Sequence, residues 1–430
     1  MFGETKGKRL LILGGIRPMC EAVEYAKEMG IYTMVTDYLE DSPAKKIADQ
    51  SFMVSTMDVD ALEELCKAEH VDGVFAAFMD GVLPVARELC DRMGYPFYAS
   101  NDQIRMSHDK SFFKETCMRF GVPTAIDYTA IVEAHGFDSD LIKFPVIVKP
   151  VDAGGGRGIT ICDTPEELKK AYDYAMSISV CKRVLVEEYM IGDDVTATYT
   201  MKDGEVSLSV FRDKLISHDH KNIQSQADIL LNPSKRLRWF METTDVAIRR
   251  MLKGMGATDG SVFFQGIASE EKIAIFELGY RVNNACDYRH ISQENGINYM
   301  KMMIAHAVTG KMGGYELSQD NPFFSKFLVT CNIWAHEGII GKLEGLEEVK
   351  KIENITLAEY KHDEGDLITA AKPYQQCVFR AIIVDDDIQK VQETILKIQS
   401  IVKCTDTEGN NMLYKPFDVH RLDGRILECR

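Results

Sequence analysis

Phe144-Pro-Val-Ile-Val-Lys149-Pro150, followed almost at once by Asp152-Ala-Gly154-Gly155-Gly156-Arg157-Gly158, is the stretch on which the reading of this chain turns. A β-rich run ends in a lysine and opens into a glycine loop. Glycine lets backbone N–H groups approach an anion closely, and Lys149 and Arg157 place positive charge beside them, so the stretch suits a nucleotide phosphate. It is not a Walker loop, because no Gly-Lys-Ser/Thr ends it, and it lacks Gly-x-Gly-x-x-Gly spacing ahead of a helix. An ordinary hairpin turn would account for the glycines but would not need the flanking cations.

Working outward, Val184 to Met190 reads as the next strand, and Thr164-Pro165-Glu166-Glu167 as the start of a helix with a capping box. Together they make a small α+β lobe around the loop. Upstream, Ser107 to Pro123 reads as one capped helix stopped by Gly121 and Pro123. Before it, Arg9-Leu-Leu-Ile-Leu13, a helix from Pro18 to Met29, and Ile31 to Asp37 form a strand-helix-strand unit. Helices over Val59 to Ala68 and Val82 to Met93, with a strand at Gly73 to Ala77, complete an open α/β domain. Its Gly14-Gly15 turn and Asp37 allow a dinucleotide reading, but the third glycine is missing. A turn lining a substrate cleft is the alternative. Downstream come strands Val195–Thr200, Val206–Arg212, Gly260–Ala268 and Ile273–Leu278, with helices over Arg236–Gly254 and Ile297–Thr309. The strand-like runs Phe327–Trp334 and Val378–Val384 and a helix over Asp387–Ile401 suggest a last β-rich domain.

The chain has 430 residues, 45% hydrophobic and 27% charged, with a net charge of −16. That length predicts several domains of about 100 to 200 residues. The acidity argues against nucleic acid as a partner, and it makes the cationic window from Leu141 to Thr160 stand out: Lys143, Lys149 and Arg157 against Asp152. The eleven cysteines include no Cys-x-x-Cys pair and read as reduced packing residues. The polar start, Met1 to Arg9, leads into a strand too short for a signal sequence or membrane span, so a cytoplasmic location and no membrane partner are expected.

Gln265 and Glu277 sit across an expected hairpin, and Glu277-Leu-Gly-Tyr-Arg281-Val-Asn283-Asn284 adds an arginine and two amides. Carboxylate and amide oxygens are hard donors suited to Mg²⁺ shared with nucleotide phosphates. The strand Glu187-Glu188-Tyr189-Met190 could read an adenine edge through its backbone, and Asp194 could accept ribose hydroxyls. A solvated strand end would explain these residues equally well.

In order, Lys110, Lys149-Pro150, the glycine loop, Glu187 to Met190 with Asp194, then Gln265, Glu277 and Arg281, the set resembles the ATP-grasp superfamily over roughly residues 9 to 315. The resemblance implies a multidomain α/β and α+β fold. An open α/β domain over residues 1–105 precedes a two-lobed ATP-grasp domain over 106–315, whose smaller lid-bearing lobe is 145–190, and a C-terminal α+β, β-rich domain over 316–430 follows. It implies that Lys110 and Lys149 contact the phosphates, that Gly154, Gly155, Gly156, Arg157 and Gly158 form a lid, and that Glu187, Glu188, Tyr189, Met190 and Asp194 bind adenosine. It further implies that Gln265 and Glu277 hold Mg²⁺, with Mn²⁺ as a substitute, and that Arg281, with Asn283 nearby, serves the reacting groups. Gly279 replaces the metal-binding asparagine of the Glu-x-Asn-x-Arg signature, which leaves open a second metal and, as an alternative function, a non-catalytic ATP-binding sensor or scaffold.

The implied reaction is phosphorylation of a carboxylate by ATP and attack by an amine. The front domain and the Phe-Pro-Val-Ile-Val-Lys-Pro run are most similar to carboxylate-amine ligases of the amino-acid ligase, phosphoribosylglycinamide and carbamoyl-phosphate synthase-like group. Partners would be small-molecule carboxylates and amines, and a homodimer is compatible. Further substrate contacts are sought at His218, His220, Lys221, Asp287, Arg289 and His290.

Overall fold

A computed structural model describes residues 3–153, 156–216, 227–369 and 376–427, and every count refers to these. The apolar run β1 (Arg9–Leu13) lies between β2 (Tyr32–Thr36) and β4 (Gly73–Phe75), and β3 (Gln50–Phe52) extends the sheet beyond β2. All pairings are parallel, as continuous apolar strands joined by helices α1 (Met19–Glu28), α2 (Val59–Ala68) and α3 (Leu83–Met93) require. Asp37 does not await a ribose: its carboxylate accepts from Gly15 N–H at 2.7 Å and Leu39 N–H at 2.9 Å, which builds the glycine turn itself.

The expected helix from Ser107 is two helices, α4 (Asn101–His108) and α5 (Lys110–Phe120). Asp109, not Ser107, caps the second, accepting from Phe112 N–H at 3.0 Å. The small lobe follows, with α6 (Thr129–His135), β5 (Val146–Pro150), β6 (Thr160–Cys162), α7 (Pro165–Ile178) and β7 (Val184–Glu188). Its three strands, in the order β6-β5-β7, close a separate small core around Val146, Val148, Leu168 and Val186. Thr164 caps α7, but Glu167 turns its carboxylate to Asp163 N–H at 2.8 Å, so the reciprocal box is not formed.

The next strands are β8 (Asp193–Lys202), β9 (Glu205–Leu215) and β10 (Ile229–Asn232). The expected single helix after them breaks at Thr243 into α8 (Leu237–Glu242) and α9 (Thr244–Gly254). There follow β11 (Gly260–Ala268), β12 (Ile273–Gly279), α10 (Asp287–Asn295) and α11 (Tyr299–Thr309). α11 packs so closely on β4 that a Cβ at Gly73 would fall 1.8 Å from the Ala307 carbonyl oxygen.

The last segment holds β13 (Phe327–Trp334), β14 (Gly338–Glu344), α12 (Leu346–Val349), β15 (Ile355–Tyr360), β16 (Leu367–Ile368), β17 (Cys377–Asp385), α13 (Ile388–Ile401) and β18 (Lys403–Asp406). A second core gathers around Val378, Ile383, Ile395 and Ile398 and takes in Leu215, Ile229 and Leu231 from β9 and β10. Three of the segment's strands continue one antiparallel eight-stranded sheet, β12-β11-β8-β9-β10-β13-β17-β15, so the sheet does not break at residue 315.

Candidate active site

Residues opposite one another on antiparallel strands share a face and lie about 5 Å apart. On the large sheet this produces three rows: Lys214, Asp194 and Ile267; then Arg212, Thr196, Gln265 and Glu277; then Val210, Thr198, Phe263 and Gly279. The hairpin therefore seats Gln265 directly across from Glu277, with both side chains half-buried.

The Asp109 cap sets Lys110 in the first turn of α5, from where Nζ donates to the Ala153 carbonyl at 2.6 Å. Burial pushes this ammonium below its usual range and Lys149 acts in the same sense, while Glu277, Asp152 and Glu187 oppose them. Charges from β5, β7 and β12 thus bear on one ammonium. At the loop, Asp152 accepts from Ser179 Oγ and Cys181 N–H, each at 2.8 Å, and pins the base. Gly156 and Gly158 adopt φ of +76° and +78°, where a side chain would be strained. Arg157 is exposed. Gly154 and Gly155 lie outside the described residues, as do His218, His220 and Lys221.

Glu187 differs from expectation. Its buried carboxylate is ion-paired with both Lys149 and Lys114. Burial alone would raise this carboxyl, but the two lysines outweigh it and hold it below the usual range. Glu187 therefore anchors Lys149 and does not face an adenine. Glu188 is also occupied, accepting from Ile126 N–H and Lys272 Nζ, each at 3.2 Å. The outer edge of β7 is covered too, by Tyr128 N–H on the Val186 carbonyl and Glu188 N–H on the Ile126 carbonyl. A base edge would have to be read beyond the strand, at Tyr189 and Met190. Asp194 lies one row from Gln265 with Lys214 Nζ at 4.0 Å.

Arg281, just past β12, is 9% exposed. Its Nε and Nη2 donate to both oxygens of Asp80, at 2.7 and 2.6 Å, and its guanidinium lies 5.1 Å from the Phe263 ring centroid. Asn283 is committed to the interior: Nδ2 donates to Asp287 at 2.7 Å and Oδ1 accepts from Ala285 N–H at 3.1 Å. It is not free to replace a metal ligand. Asp287 is fully buried, ion-paired with Arg212 and hydrogen-bonded to Thr198 Oγ1 at 2.6 Å. Arg289 pairs with Glu21 of α1. His290 is a core residue and no substrate contact; it is fully buried with Nδ1 3.0 Å from Asn232 Nδ2.

Lys114, Asp80 and Arg212 escaped the sequence reading. Lys114 lies four residues after Lys110, hence on nearly the same face of α5, and that spacing could have flagged it. Nothing local marks Asp80, whose partner is some 200 residues away.

Gln265 and Glu277 offer an amide and a carboxylate oxygen, a donor set that fits one Mg²⁺ completed by phosphate and water oxygens. At position 279 a Cβ would fall 2.3 Å from the Phe263 ring, so that ring fills the space a side chain would need. Among the described residues no group of three His, Cys, Asp or Glu side chains could hold a metal alone, and no helix is long and apolar enough to cross a membrane.

The profile described as "Carbamoyl-phosphate synthase L chain, ATP binding domain" matches residues 109–304, and "PylC-like, N-terminal domain" matches residues 10–93. The chain is 25% identical over 362 residues to the 2-oxoglutarate carboxylase small subunit of Hydrogenobacter thermophilus, covering 77% of this chain and 72% of that one. Its fold is similar to phosphoribosylglycinamide synthetase from Anaerococcus prevotii (TM-score 0.74, 21% identity, 93% and 99% of the two chains). It is also similar to L-amino acid ligase from Bacillus licheniformis (TM-score 0.75, 14% identity, 93% and 99%). With an ATP binding profile lying over the lysines, the paired Gln265 and Glu277 and Arg281, residues 109–304 form an ATP-grasp domain of the carbamoyl-phosphate synthase type.

Proposed function

We propose that this protein activates a small-molecule carboxylate as an acyl phosphate with ATP and joins it to an amine, releasing ADP and phosphate. The observation that carries the reading is the pairing of Gln265 with Glu277 across β11 and β12, together with Lys110 held on the Ala153 carbonyl at the base of the glycine loop and Lys149 held by Glu187.

Lys110 and Lys149 bind the phosphates, and the loop through Gly156 to Gly158 covers them. Tyr189 and Met190 contact adenine, and Asp194 the ribose. Gln265 and Glu277 would hold a Mg²⁺ ion, which supplies charge neutralisation on the transferring phosphoryl. Little acid-base machinery is needed, because positioning and cationic stabilisation do most of the work of phosphoryl transfer. Arg281 faces the developing acyl phosphate from the exit of β12. The acceptor enters between the N-terminal domain and β17, where Arg380 lies across from Glu359 of β15 and, among the described residues, donates to Asn332 Oδ1 at 2.9 Å and the Asn284 carbonyl at 3.1 Å. An acceptor carrying a carboxylate or phosphate suits that guanidinium. A cytoplasmic homodimer completes the proposal, with an N-terminal domain bounded near residue 105 and a segment beyond residue 315 that shares the large sheet.

The test is phosphate release from Mg-ATP across a matrix of carboxylates and amines, with products identified by mass spectrometry. Glu277→Gln should cut acceptor-dependent release by about a hundredfold or more while leaving the melting temperature unchanged. Tight ATP binding without acceptor-dependent release from any pair would sink the ligase reading in favour of a non-catalytic nucleotide-binding module.

A further inference from the structure

We propose that Asp80, supplied by the N-terminal domain, is a positioning residue that aims Arg281 at the reacting groups; the idea rests on the ligase reading above for its kinetic consequence only. The two side chains meet fork to fork, an arrangement that fixes orientation as well as distance. The third guanidinium nitrogen, Nη1, donates to the Val282 carbonyl at 3.2 Å, and Phe263 lies against the guanidinium. Every rotation of the guanidinium is thereby blocked. The pair is not a core fastening, since the Asp80 side chain keeps 36% of its surface exposed.

The loop bearing Asp80 is shaped for this contact. Phe78 has φ of +64°, a region that bulky residues adopt only when their surroundings compel it. What compels it lies on the exit of β12: Phe78 N–H donates to the Val282 carbonyl at 3.2 Å, and Asn284 Nδ2 donates to the Phe78 carbonyl at 3.4 Å. Met79 fits beside Gly14, where a Cβ would fall 2.8 Å from its Cε. Two earlier residues grip the preceding position: Ser107 Oγ accepts from Tyr280 N–H at 3.1 Å, and Tyr98 OH donates to the Tyr280 carbonyl at 2.8 Å. Residues 280 to 284 are therefore splinted from outside the sheet, with Arg281 at the centre. The arginine's direction is set by how the N-terminal domain is seated.

Asp80→Asn keeps the shape and removes the charge, and Asp80→Glu returns the charge. With the substrate pair identified as above, Asp80→Asn should lower kcat about tenfold or more while both KM values stay within about threefold, and Asp80→Glu should recover most of the loss. A second readout needs no turnover. In protein labelled with isotopic arginine, the Arg281 Nε–H signal, assigned by its disappearance in Arg281→Lys, should exchange with solvent at least about tenfold faster in Asp80→Asn. Unchanged protection of that proton, or unchanged kcat in Asp80→Asn, overturns the proposal. So does a kcat loss that tracks a fall in melting temperature and is not recovered in Asp80→Glu. If no substrate pair turns over, the ligase reading fails separately and the exchange measurement still decides this one.

Discussion

Glu187→Gln removes one carboxylate that serves two buried ammonium groups, and its cost can be worked out from the surroundings. Glu187 is 5% exposed, and the Lys114 and Lys149 side chains are 6% and 9% exposed. Stranding a buried charge by deleting its partner costs about 3–5 kcal/mol. Lys114 keeps a partial partner in Asp127 at 3.6 Å, itself 31% exposed, whereas the ion pairing of Lys149 is to Glu187. The expected loss is therefore at the lower end, about 3 kcal/mol, or roughly 6 °C in melting temperature at about 2 °C per kcal/mol for a large chain. The assay is thermal unfolding with and without Mg-ATP. Saturating nucleotide should shrink the deficit, because phosphate oxygens supply the anion that Lys149 has lost. A double variant with Lys149→Met should fall short of the sum of the two single losses, since the stranded charge is gone. A variant melting within about 1 °C of the parent would refute the reasoning, as would a deficit that ATP leaves unchanged.

Gly279→Ala should destabilise by about 1–3 kcal/mol through overpacking against Phe263, measured by urea unfolding. Combined with Phe263→Leu, it should cost less than the two changes added. His290 is held neutral by burial, its pKa pushed down from 6.5 to about 4. The unfolded chain takes up this proton first, so the stability tied to His290 is complete above pH 6.5 and drains away as pH falls toward 4. Relative to His290→Gln, the parent should lose about 1.4 kcal/mol per pH unit across that window, roughly 3 kcal/mol in all. Parallel stability curves for the two proteins would contradict it.

The elements most legible in the sequence were those whose signals are local. Apolar runs marked the parallel strands, and the hairpin brought Gln265 across from Glu277, although counting back from the turn leads to Phe276 and only a bulge beside Gln265 brings Glu277 into register. The lysine-to-glycine-loop order carried the superfamily. What escaped depended on distant partners. The sequence around Glu187 suits a ligand-facing residue, because its two lysines come from α5 and β5 and leave no local mark. The continuity of the sheet through β10 and β13 was hidden because the pairing joins residues about a hundred positions apart. The reading of His290 failed for the converse reason: a polar residue after a metal-strand motif is as often satisfied by core amides and hydroxyls as by a substrate.

The contact between Gly279 and Phe263 bears on how this sheet could change over generations. An asparagine cannot enter at 279 while the ring stands 2.3 Å from its first side-chain atom. Shrinking the ring first would strip the Arg281 guanidinium of the surface it rests on. Either single step passes through a damaged intermediate, so the two positions can be exchanged only together. Glycine at 279 and phenylalanine at 263 are therefore one coupled choice.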